Sequence, residues 1–157
     1  MSGYYLNATI CLNGHVISSS VANYTNHCST CGETTISKCK NCSTNIRGEY
    51  EVPRVAVLGG FYSPPNYCYS CGKPFPWTEL ILHNAVELIS LDDELPDDIK
   101  KIIKLALPDL IVETPSTSVA TAKYKKFMPN AAKYVQDGVK NILVDVVSET
   151  VKKSIWG

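Results

Sequence analysis

Residues 11–15 read Cys11-Leu12-Asn13-Gly14-His15, and the fold of the first half of the chain depends on whether His15 belongs with Cys11. Seven cysteines are present, and six stand as Cys-x-x-Cys pairs: Cys28/Cys31, Cys39/Cys42 and Cys68/Cys71. Cys11 is left alone. Taken with His15 it completes a fourth two-ligand cluster, and eight donors suffice for two tetrahedral zinc ions. One shell would hold three thiolates and an imidazole, the other four thiolates. Without His15 one shell would lack a ligand and need water or an outside group. His27, beside Cys28, is the rival donor, but its adjacency makes it awkward for the same turn.

Pairs at this spacing suit zinc because a tight turn aims two soft donors at one point. Glycine directly follows Cys31 and Cys71, where the turn needs a relaxed backbone, and Gly14 lies inside the first cluster. Three pairings of the clusters are open. Sequential pairing leaves 12 and 25 residues between partners, cross-bracing leaves 23 and 36, and joining the second cluster to the third leaves 7 and 52. Loop-closure entropy separates these by less than about 1–2 kcal/mol. Hairpin geometry favours the sequential arrangement, with two knuckles at the ends of adjacent β-hairpins.

The chain has 157 residues, 45% hydrophobic and 19% charged, the composition of a folded protein. Fifteen basic residues balance fifteen acidic ones, so no global field draws the chain to nucleic acid or anionic lipid. No segment reaches the roughly 18 apolar residues that span a bilayer. The opening "MSGYYLNATICL" lacks the pattern of a secretory signal. A cytoplasmic location is therefore expected, and in a reducing compartment clustered cysteines bind metal more often than they form disulfides.

Composition changes near residue 77, which divides the chain into an expected cysteine-rich domain over 1–76 and a helical domain over 77–157. The expected fold class is α+β: an N-terminal double zinc ribbon followed by an all-α region. "HVISSSV", "ETTIS", "NIRGEYEV" and "RVAVLGGFY" are the strand candidates. In the second half, Trp77, Ile81, Ala85 and Leu88 share one helical face, and Ile99, Ile102, Ile103 and Ala106 form a second stripe. Pro108 is expected to stop that helix, and Thr114-Pro115 to cap and open the next. Val135, Val139, Ile142, Val146, Thr150 and Ile155 form a long apolar stripe, read as one last helix.

"CLNGH" followed by "HCSTCGE" resembles the Cys-x-Asn-Gly-His … Cys-x-x-Cys-Gly form of bacterial zinc ribbons, and "CKNC … YCYSCGKPFPW" is similar to a second ribbon. The whole order, with "PWTEL" and "DVVSETVKKSIWG", resembles an uncharacterised bacterial family of double-zinc-ribbon proteins with a helical tail. That resemblance brings no known activity.

The expected function is non-enzymatic. Two filled four-ligand shells leave no open position for a catalytic water, and every cysteine is already assigned. The Cys-x-x-Cys pairs lack the βαβ context of a redox motif. His83 reads as a core or surface residue of a helix, and the acidic run "LDDELPDD" as a solvated helix start. Two structural zinc ions are expected, and the expected role is docking on a protein partner or self-association through the C-terminal amphipathic helix. Nucleic-acid binding is the alternative, motivated by Tyr50, Tyr62, Tyr67 and Tyr69 beside Arg47, Arg54 and Lys73.

Overall fold

The computed structural model describes residues 2–56 and 60–157. The chain is α+β, with short antiparallel strands among the cysteines and helices after them. It divides into two compact units, Met1–Leu80 and Ile81–Gly157.

In the first unit, β1 (Tyr4–Asn7) pairs with β5 (Arg47–Glu51) as a two-stranded ribbon. Tyr5 stands opposite Tyr50 and Asn7 opposite Arg47, with an irregularity between them. β2 (Thr9–Cys11) is the middle strand of a second sheet, flanked by β3 (Val16–Ser18) and β4 (Thr35–Ile36). All three β2 residues are buried, so Cys11 leaves the centre of the sheet on a fixed strand. Neither β1 nor β2 was among the strand candidates, being only four and three residues long. "RVAVLGGFY" is corrected: residues 54–56 and 60–62 carry no strand, and residues 57–59 lie outside the described residues. Pro53 and a positive φ of 68° at Arg54 turn the chain out of β5.

The apolar core of this unit is small. Ala8, Ile10, Ile46, Phe75 and Trp77 are buried together with Cys39 and Cys68. Trp77 stacks on Phe75 with ring centroids 4.9 Å apart, and its indole N–H donates to the Pro65 carbonyl at 3.0 Å. These residues lie at the start of α1 (Pro76–Leu91), where proline suits a first helical position because its missing N–H has no partner there anyway.

The second unit is helical: α2 (Asp97–Ala106), α3 (Pro108–Ile111), α4 (Thr117–Phe127), a 3-10 turn (Met128–Asn130), α5 (Lys133–Leu143) and α6 (Glu149–Trp156). Pro108 ends α2 but also begins α3, because Leu107 before it stays in the right-handed helical region. α4 begins at Thr117, two residues later than the Thr114-Pro115 reading. The Thr117 hydroxyl is held by the carbonyls of Asp109 and Val112 and accepts the Thr114 N–H at 2.8 Å.

The single long last helix is also corrected. Val144, Val146 and Val147 form a poor helical run, and Ser148 caps a new start by accepting the Val151 N–H at 3.2 Å. Most of the expected stripe is spent inside the unit, although Thr150 is exposed. Val135, Val139, Leu143 and Val151 are buried, while Ile142, Val146 and Ile155 pack on the same core. Gly138 lets α1 come close to α5, since a Cβ there would lie 2.8 Å from a Leu88 methyl.

Asp92 is the polar exception in this core. It belongs to the "LDDELPDD" run read as a solvated helix start, yet it is 1% exposed. One carboxylate oxygen accepts from the N–H groups of Glu94 at 3.1 Å and Leu95 at 2.7 Å, and the other from Ala132 at 2.7 Å, just before α5. Burial alone would raise its pKa, but the N–H groups of Ala132, Leu95 and Glu94, with Lys100, outweigh it and hold the carboxyl below its ordinary value. A depressed folded pKa means stability that is present above the unfolded value, near 3.9, and lost as pH falls through the folded one. Asp92→Asn should therefore lower stability at pH 7 and flatten its loss on acidification. Asp92→Ala should cost about 1–3 kcal/mol for each buried N–H left unpaired. Urea unfolding followed through Trp156 at pH 7 and pH 3 measures both effects.

Candidate metal centres

Each Cys-x-x-Cys pair sits in the same local turn. The N–H of the residue after the second cysteine donates to the carbonyl of the first, in Gly32→Cys28 at 2.7 Å, Ser43→Cys39 at 2.9 Å and Gly72→Cys68 at 2.9 Å. The first cysteine then donates to the carbonyl five positions on, at Glu33, Thr44 and Lys73. Short bridges, His27 with Thr34, Lys38 with Asn45 and Tyr67 with Pro74, close each turn into a small hairpin. The Cys11–His15 turn is related but distinct, with Cys11 N–H donating to the His15 carbonyl at 3.0 Å.

These turns bring the eight sequence-named residues together in two groups, Cys11, His15, Cys28 and Cys31, and Cys39, Cys42, Cys68 and Cys71. In each group one donor atom from every residue lies within 4.8 Å of the others, a set able to hold a metal ion. The first cluster thus meets the second and the third meets the fourth, the sequential pairing. His27 is exposed and belongs to neither group. His83 is exposed on α1.

The spacing fits a four-coordinate ion. Metal–sulfur bonds of about 2.3 Å at tetrahedral angles put sulfurs about 3.8 Å apart, and a sulfur and a ring nitrogen about 3.6 Å apart. The observed Sγ–Sγ separations are 3.8 Å for Cys11–Cys31, 3.8 Å for Cys39–Cys71 and 3.6 Å for Cys42–Cys68. His15 turns Nδ1 toward the group, 3.4 Å from Cys11 Sγ and 3.7 Å from Cys28 Sγ. A disulfide would need sulfurs about 2.05 Å apart.

Thiol acidity is uneven within each group. Burial pushes Cys11 up and Cys39 up to about 11. At Cys28 burial also pulls upward, but the N–H groups of Cys31 and Thr30, with Cys31 and His15, bring it down to about 6. The Thr44 hydroxyl and N–H lead in bringing Cys42 down to about 6. Cys31 is lowered first by the Glu33 N–H and then by Asn13, and Cys71 first by the Lys73 N–H and then by Asn41. The Cys31 and Cys28 thiols raise the His15 imidazole. A bound cation would reverse that and favour neutral imidazole and thiolate throughout.

Asn13 and Asn41 were not named from the sequence. Asn13 Nδ2 donates to Cys31 Sγ at 3.4 Å, and the Asn41 side chain does the same for Cys71. Each asparagine reaches from the first turn of its group to the last cysteine. The signal is a repeated Cys-x-Asn, at Cys11-Leu12-Asn13 and Cys39-Lys40-Asn41.

The turns differ at one backbone position. Gly32 and Gly72 take positive φ, 77° and 73°, whereas Ser43 holds the equivalent place at 64°. A Cβ at Gly32 or Gly72 would meet nothing within 4 Å, so their role is conformational alone. A left-handed conformation costs a non-glycine residue about 1–2 kcal/mol. Ser43→Gly should therefore stabilise the loaded first unit by about 1 kcal/mol, and Gly72→Ser should destabilise it by a similar amount. Equilibrium unfolding followed through Trp77 in a Trp156→Phe background measures the pair.

Among the described residues no helix is long and apolar enough to cross a membrane. The N-terminal arrangement is compatible with a double zinc ribbon. No curated protein and no solved structure matches the chain. A family described as uncharacterized proteins conserved in bacteria (DUF2321) matches residues 4–155, and the chain belongs to that family.

Proposed function

We propose that two structural zinc ions occupy the two groups and that the chain acts by docking on a protein partner without catalysing a reaction. Both donor sets are complete with protein ligands, which suits closed structural zinc. Zinc in comparable small modules contributes an apparent binding energy of about 10–16 kcal/mol at neutral pH, ample to fold a unit with so small an apolar core.

The observation that carries the docking role is an exposed aromatic–arginine face on the β1–β5 ribbon. The Arg47 guanidinium lies over Tyr69 at 3.7 Å and over Tyr5 at 4.4 Å from the ring centroids. Tyr5 in turn meets Tyr50 edge-on at 5.0 Å. Each of the three rings is at least half exposed. Tyrosine and arginine dominate the energetics of protein interfaces, because both bury large areas while keeping a polar handle. Tyr69 lies between Cys68 and Cys71, so the turn that holds the metal also sets one wall of this face.

Charge favours protein over nucleic acid as the partner. Residues 1–78 carry five Lys/Arg and three Asp/Glu, a balance of +2. Two divalent ions on seven thiolates add three negative charges, so the loaded half stands at −1. Stacking platforms for single strands need a basic groove beside the rings.

Two measurements test this. Metal analysis of the purified chain should give two zinc per molecule, and His15→Ala should weaken one site selectively; a content near zero in reduced, folded protein refutes the zinc reading. A photo-crosslinking residue at position 69 should trap a protein in cells, with Arg47→Ala abolishing the product and leaving the zinc content at two. Crosslinks to RNA or DNA, or none at all, refute protein docking through this face.

A further inference from the structure

The second unit contains a groove of about 300 Å³ lined by residues of α4, the 3-10 turn, α5 and α6. That volume is at the small end of ligand sites. Its floor is core: Tyr124 is 4% exposed and Met128 2%. Trp156 forms a wall, its ring edge-on to Tyr124 with centroids 5.9 Å apart.

The polar lining is one-sided in charge. Lys125, Lys133 and Lys140 face a single carboxylate, Asp137, which Lys133 already engages at 2.6 Å. The Lys140 ammonium lies 6.0 Å from the centre of the Trp156 ring. Two cations are therefore left over beside an apolar floor.

Tyr124 adds an independent observation. Among the described residues its hydroxyl proton has no acceptor, yet no fully enclosed side-chain N or O atom lacks a partner. Tyr124 is among the residues that line the groove. Burial pushes its pKa up to about 12, against a smaller opposing effect of the Trp156 indole, so it remains a donor at neutral pH. A protonated tyrosine hydroxyl in the lining of a concave site can donate to an anion there.

We infer that this groove binds a small organic anion with an apolar body. The head group takes the Tyr124 hydroxyl and the lysine ammoniums, and the body lies on Met128 and Trp156. The inference is independent of the metal sites and of the ribbon face.

The test uses the full, zinc-loaded chain and follows the two tryptophan indole N–H signals by NMR, assigned with Trp156→Phe. Hexanoate should shift the Trp156 signal and backbone amides over 124–140 while leaving Trp77 in place. Hexanamide has the same body without the charge and should bind about fivefold more weakly. Acetate, which lacks four methylenes of apolar body, should bind more than tenfold more weakly. Hexyl phosphate in place of hexanoate shows whether phosphate or carboxylate is the preferred head. Lys140→Gln and Tyr124→Phe should each weaken hexanoate about two- to fivefold with the fold intact by the same spectrum. Equal binding of hexanoate and hexanamide, unchanged affinity in both variants, or no Trp156 shift with either anion overturns the inference.

Discussion

Converging sulfur is the constraint on which the first unit depends. Among the described residues its apolar core comprises seven buried side chains, and two of them, Cys39 and Cys68, are themselves members of the second donor group. The second donor group and the core are therefore the same place. Small units with so little apolar area commonly need a crosslink or an ion to offset chain entropy. The hairpin turns present thiols with lowered pKa at Cys28 and Cys42, so donors are available without reorganising the backbone. Asn13 and Asn41 brace the outer cysteines from across each group, as second-layer partners commonly do for metal ligands.

The second unit is held differently. Seventeen buried hydrophobic residues form one cluster, spaced along α5 and α6 by fours at Val135, Val139, Leu143, Val147 and Val151. No metal is needed to explain it. Asp92 is the point where this core departs from simple apolar packing, joining the end of α1 to the approach to α5 through three backbone N–H groups. The two halves of the chain thus reach compactness by different physics.

Local chemistry was legible in the sequence where it was carried by residue type at short range. Cys-x-x-Cys spacing and the glycines after Cys31 and Cys71 led directly to the turns, and the heptad-like valines led to a helical core. What was not legible depends on partners distant in the chain. β1 is recognisable only through β5, some forty residues away, and β2 only through the strands on both sides of it. Asp92 looks like its exposed neighbours Asp93 and Glu94 until the chain near Ala132 folds over it. The break between α5 and α6 was missed because hydrophobic periodicity carries across Ser148, whereas its capping role depends on local backbone geometry. The Arg47 face was legible as composition, in the tyrosines and arginines noted together, but its arrangement required the ribbon register and the Cys68 turn.

Sequential pairing of the donor turns has a consequence for biosynthesis. The first group is complete once the chain has emerged as far as Cys31, and the second once it reaches Cys71. In a cross-braced arrangement the first group would close only at Cys42, and the thiols of both groups would stand unsatisfied side by side until then. In the sequential order each donor group is drawn from its own contiguous stretch, residues 11–31 and then 39–71, so the two sets of thiols never compete for partners as the chain lengthens.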